Sequence, residues 1–169
     1  MTVCCKDFLI KDKEFSMKAI LYTGNELKIN GYYYKKYSDE KSLVLVFYEN
    51  GVQFGGNGIS IPTIEIEDRL RESDYTRKLR DWLAWWAPYD IYNNVLRFEF
   101  YDIFGHNWHT CIAHCEILND TTFNVKKITF SKTGKEVNVN KYGTSYYSLG
   151  EWHFKQFSPK PDSTNIFIP

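Results

Sequence analysis

In "VLRFEFYDIF", residues 95 to 104, Leu96, Phe98 and Phe100 alternate with Arg97, Glu99 and Tyr101. A period of two sends successive side chains to opposite faces, so this run predicts a half-buried antiparallel strand. The same signal recurs along the chain. "ELKINGYYYKKY" (26–37) reads as a strand, following an ambiguous segment around Phe15 to Tyr22. "KSLVLVFYENGVQFGG" (41–56) reads as a hairpin turning at Glu49-Asn50-Gly51, its return strand running into a loop at the glycines. A short strand in "YDIYNN" meets 95–104 through an Asn93-Asn94 turn. "NWHTCIAHCEIL" and "TFNVKKITFSKTGKEV" are joined at Asn119-Asp120, and adjacent Lys126 and Lys127 break the alternation where a bulge fits. "YYSLGEWHFKQF" supplies the last long strand. Short strands at this regular spacing predict a mainly β fold, an antiparallel eight-stranded meander barrel.

One segment changes period. In "SDYTRKLRDWLAWWAPY", Tyr75, Leu79, Trp82, Leu83 and Trp86 recur at helical spacing, with Ser73 or Asp74 as cap and Pro88 as stop. This predicts an inserted amphipathic helix around 74–86, preceded by an irregular charged stretch from Glu65. The domain reading is an N-terminal segment over 1–25 and one barrel over 26–169, with the helical insertion at 65–87.

Composition sharpens the picture. Aromatics reach 18%, with 13 Tyr, 12 Phe and 5 Trp, and rings favour pleated, half-buried surfaces. Lys plus Arg equals Asp plus Glu, 21 against 21, which removes the electrostatic argument for nucleic acid. No apolar run approaches the ~18 residues of a transmembrane segment. Cys4 and Cys5 precede a polar run, the arrangement of a lipid-anchored protein whose signal is missing from the chain, so either is a candidate acylation site.

"FGHNWHTCIAHCEILNDTTF" (104–123) carries His106, His109, His114, Cys111 and Cys115, and raises the question of a metal. On a strand, His109, Cys111 and Cys115 share one face and His114 takes the other. The two cysteines then stand about 13 Å apart, too far for one ion or a disulfide. Thr110, Ile112 and the "NDTT" that follows favour strand and turn over helix, so the reading is a strand, with no metal or cofactor expected. Cys111 with His109 or His153 is the nearest approach to a nucleophile–base couple, and Glu99, Glu116 and Glu151 are carboxylates near aromatics. Neither set forms a recognised catalytic motif, and the expectation is a protein that is not an enzyme.

Gly31 to Tyr34 in "LKINGYYYKK", Ile117 to Phe123 in "ILNDTTF" and Phe157 to Ile168 in the closing tail resemble a group of small, mostly uncharacterised bacterial lipocalin-like proteins. Gly31-Tyr32-Tyr33 is similar to the lipocalin G-x-W opening, with Tyr33 in place of tryptophan. The resemblance implies an eight-stranded calycin-type barrel, exported and often lipid-anchored, with a cytoplasmic location as the alternative. Read from the residues, "NDTT" is turn chemistry. The tail is an ordered turn laid across one barrel end and pinned by Phe157, Ile166 and Phe167, an anion site at Lys160 being the sharper alternative.

Three functional readings follow. The first is a non-enzymatic barrel holding a small apolar or amphipathic ligand, with Tyr33, Trp82, Trp85, Trp86, Phe98, Phe100, His109 and Trp152 as candidate lining residues and the tryptophan helix over the mouth. The second is an envelope interaction protein whose filled barrel binds protein or glycan through its surface, using Tyr32 to Tyr34, Tyr146 and Tyr147. Inward Phe98, Phe100, Phe123, Phe130 and Phe154 would favour it. The third is a hydrolase or isomerase using His109 and a carboxylate.

Overall fold

The computed structural model describes residues 15–72, 83–104, 107–138, 149–165 and 168. Eight antiparallel strands follow one another around a closed barrel in chain order: β1 (Gly31–Lys36), β2 (Lys41–Phe47), β3 (Val52–Pro62), β4 (Trp86–Tyr92), β5 (Val95–Phe104), β6 (Asn107–Asn119), β7 (Thr122–Phe130) and β8 (Gly150–Gln156). Pairing of Tyr33 with Phe154 and Tyr34 with His153 joins β1 to β8 and closes the wall. Closure gives every strand a paired neighbour on each side, which suits strands this apolar.

Turn chemistry sets the register where the sequence predicts it. Gly51 takes φ 77° between β2 and β3, and Asn93 and Asn94 take φ 50° and 60° between β4 and β5, the left-handed pair that a type I′ hairpin needs. After Asn119, its Oδ1 accepts the Thr121 amide at 2.9 Å. Pairing of His114 with Lys127 and of Cys115 with Val125 leaves Lys126 unmatched, which is the bulge expected at the lysine pair.

Three expectations change. The strand predicted to stop at the glycines of "GVQFGGNG" continues to Pro62, because a bulge between Phe54 and Ile59 absorbs three extra residues and pairing resumes at Val44–Ile59. The charged stretch from Glu65 is not irregular: a 3-10 turn (Thr63–Glu65) leads into helix α1 (Ile66–Arg71). Arg69 pairs with Glu65 and Arg71 with Glu67 at one-turn spacing, the signal that marks it as helix. The helix expected over 74–86 falls mostly outside the described residues, but its end is settled. Leu83–Trp85 is a 3-10 turn, and Trp86, Ala87 and Pro88 are already strand, paired with Phe54, Gln53 and Val52.

The wall separates two apolar cores. Inside lie Tyr33, Leu43, Leu45, Phe47, Tyr89, Leu96, Phe98, Phe100, Cys111, Phe123, Ile128 and Trp152. Outside β1–β3, a second cluster joins Tyr32, Val44, Val46, Phe54, Ile59 and Ile61 to Ile66 and Leu70 of α1, Phe157 of the tail and Trp86. Lys155 on β8 pins α1 through Glu67 at 2.8 Å.

Candidate functional site

The barrel end that carries the β2–β3, β4–β5 and β6–β7 turns is closed by the segment before β1. Leu27 enters the inner core, and the Lys28 amide donates to Asp120 O at 2.8 Å while its Nζ pairs with the Asp120 carboxylate. Tyr33 points inward and donates its hydroxyl to Lys28 O at 3.0 Å. Tyr89 donates to Tyr48 O at 2.7 Å. Burial pushes both phenols well above the ordinary tyrosine range, so each stays a neutral donor. Among the described residues, the tail meets this end at its rim through Lys160. Lys160 Nζ donates to Ile29 O and Phe47 O, which commits the proposed anion-binding amine to main-chain carbonyls. Burial pulls its pKa below the usual lysine range. Phe157 and Ile168 pack on the outer cluster; Ile166 and Phe167 lie outside the described residues.

Rings pack against one another in the interior above this plug. Tyr33 lies 5.6 Å from Phe47, 5.1 Å from Phe123 and 5.4 Å from Phe154, centroid to centroid. Phe47 continues the contacts to Tyr89 at 4.9 Å and Phe98 at 6.2 Å, and Phe98 to Phe100 at 6.0 Å. Trp152 stacks on Phe123 at 5.9 Å, and its far edge reaches across to β3. There a Cβ on Gly58 would sit 3.1 Å from Trp152 Cη2, so the glycine makes room for the ring. Trp152 Nε1 is buried and has no hydrogen-bond partner among the described residues.

Of the predicted lining residues, Tyr33, Phe98, Phe100 and Trp152 share this cluster, and His109 stands on the same face of β6, its ring 5.8 Å from Phe130. Trp85 and Trp86 lie on the other side of the wall: Trp86 packs on Phe54 at 4.9 Å and Trp85 borders the outer cluster. Trp82 lies outside the described residues, as do Cys4, Cys5, Tyr146 and Tyr147. Tyr32 and Tyr33, expected as surface contacts, are buried; Tyr34 is half-buried.

The strand reading of 107–118 holds. Cys111 and Cys115 face the interior and are buried, with burial raising the Cys115 thiol well above its ordinary pKa. His114 faces outward, its Nε2 3.0 Å from Thr129 Oγ1. His153 faces outward beside Tyr34, with the wall between it and Cys111. Glu99 sits outside β5 beneath the N-terminal segment, its Oε2 accepting the Met17 amide at 2.7 Å and Ser16 Oγ at 3.1 Å. Glu116 is held in an exposed ion pair with Lys126.

A site that the sequence reading missed lies on the outside. Residues 20–24 and the β4–β5 hairpin flank a groove of about 470 Å³, within the usual range for a binding site. Ile20, Leu21 and Tyr92 stand at it 63%, 66% and 72% exposed. Asp90 and Arg97 line it as an ion pair, Arg97 Nε to Asp90 Oδ1 at 2.9 Å with a second bond from the guanidinium. Two adjacent aliphatics outside any strand and a tyrosine before a turn were the available signals. Among the described residues no helix is long and apolar enough to cross a membrane, which says nothing of a barrel. No protein-family model matches this chain, and neither does a curated protein or a solved structure.

Proposed function

We propose that this chain is a non-enzymatic barrel whose interior is structural and whose outer surface carries the binding. The observation behind this reading is the unbroken ring-to-ring packing from Tyr33 through Phe47 and Phe98 to Phe100, with Trp152 spanning from Phe123 to Gly58. Rings in contact with one another across the interior take up volume that a guest would need. The test compares native and denaturing mass spectra after incubation with cell extract. A native mass equal to the chain mass supports the reading; a stoichiometric small molecule lost on denaturation overturns it.

A second reading keeps a small, mainly apolar ligand inside the barrel, and the unpartnered Trp152 Nε1 favours it. A buried indole N–H without an acceptor is costly, and a ligand carbonyl or hydroxyl would satisfy it. Trp152→Phe would then weaken ligand binding while leaving the fold intact.

The resemblance to exported lipocalin-like proteins supports an envelope location, with an acyl chain on Cys4 or Cys5 as the tether. Mass analysis of protein isolated from membranes, with Cys4→Ser and Cys5→Ser variants, tests that placement.

A further inference from the structure

The groove between residues 20–24 and β4 carries a feature beyond exposed apolar side chains. Tyr92 and Val95 flank the two-residue turn, so the pairs Tyr92–Val95 and Asp90–Arg97 exchange the main-chain hydrogen bonds of the hairpin. Tyr89 and Ile91 therefore turn their amides and carbonyls away from β5. The Tyr89 amide finds Gly51 O at 2.9 Å, the last contact before β3 falls short. Pairing of β3 with β4 ends at Val52–Pro88, so nothing in β3 reaches Ile91. Among the described residues no hydrogen bond reaches the Ile91 main chain on that side. A two-point strand edge thus opens into a groove walled by Ile20 and Leu21, with Tyr92 at its lip.

We propose that this groove takes an extended peptide segment of a partner protein, which adds to β4 as a short strand. Its backbone would pair with the Ile91 N–H and C=O, and alternate side chains would cover Leu21 and Tyr92. A main-chain edge recognises another main chain, which favours a peptide over a sugar. Glu26 and Asp90 against Arg97 leave the lining one net negative charge, so an aliphatic segment with a basic flank complements it. The inference rests on the surface-acting reading and names the partner class for that surface.

The test is amide chemical-shift mapping on the full chain. The probe is an equimolar pool of soluble, end-capped heptapeptides of pattern Lys-Φ-Thr-Φ-Thr-Φ-Lys, with Φ drawn from Val, Ile and Leu. Expected are shifts confined to 20–24 and 89–97, slower exchange of the Ile91 amide, and affinity reduced about tenfold or more when the peptide backbone is N-methylated at alternate residues. Ile91→Pro, tolerable at an edge position, should weaken binding similarly, and the N-methylated peptides carry the test if that variant misfolds. Equal binding of the N-methylated pool, no shifts at about 1 mM peptide, or the same shift map from chitohexaose would each overturn the proposal. Shifts confined to another face would overturn the groove and leave the surface-acting reading standing. A stoichiometric guest in the native mass spectrum would instead remove the surface-acting reading.

Discussion

β2 and β8 are both walls of one barrel, yet their burial differs completely. Every residue of β2 after Lys41 is buried, whereas β8 keeps the alternation of a strand with one wet face, Trp152 fully buried between exposed Glu151 and His153. The difference lies outside the barrel. α1, Trp86 and Phe157 cover Val44 and Val46, while on the outer face of β8 Glu151, His153 and Lys155 stay exposed. A strand covered on both sides loses its period of two and becomes a continuous apolar run, which is how "SLVLVF" reads. The lesson is that this barrel has a two-sided half and a one-sided half.

Truncating the inner core should cost most. Phe47→Ala removes a ring in contact with Tyr33, Tyr89, Phe98 and Phe123, and should destabilise by about 3–5 kcal/mol in urea unfolding. That is a large part of a typical domain's stability. A loss below about 1 kcal/mol would mean the interior is not closely packed.

Leu70→Ala tests whether the outer cluster is a true second core. Leu70 is 2% exposed, and its loss should cost about 2–3 kcal/mol. Lys127→Ala on the open face of β7 should stay within about 0.5 kcal/mol. Equal effects from the two would erase the contrast between the halves.

Gly58→Ala probes the point where the two-sided wall meets Trp152. The glycine holds φ +93°, and a methyl group there would press on Leu43 Cβ and Trp152 Cη2, each at 3.1 Å. We expect about 1–2 kcal/mol of destabilisation and a shifted tryptophan emission. Unchanged emission would show that the ring does not cross to β3.

The smallest effect belongs to the one-sided half. Burial, with Lys127 and Arg97 nearby, lowers the His114 pKa below its ordinary 6.5. Below about 6.5 the unfolded chain then binds the proton more readily than the fold, so stability falls as the pH drops through that window. His114→Gln should flatten this part of the stability–pH curve, measured by thermal unfolding between pH 5 and 8. An unchanged curve would assign the acid sensitivity elsewhere.

Much of this was legible in the chain because it is local. The alternation in β5, the left-handed turns at Gly51 and Asn93-Asn94 and the bulge at Lys126 are decided within a few residues. The candidate site was legible only in part. Alternation can say that Phe98 and Trp152 face inward, but not that their rings meet Phe47 and Phe123. Nor can it place Trp86, whose helical spacing yields to pairing with Phe54 across the sheet. Glu99 shows the limit most clearly. Its position in the alternation marks a solvent-facing carboxylate, yet it is wholly buried, because Ser16 and Met17 fold back more than eighty residues along the chain to cap it. The groove at Ile91 arises the same way, from a β3 too short to cover the end of β4. Periodicity reads one strand at a time. What covers a face, and what leaves an edge bare, depends on segments distant in sequence, and only the tertiary structure brings them together.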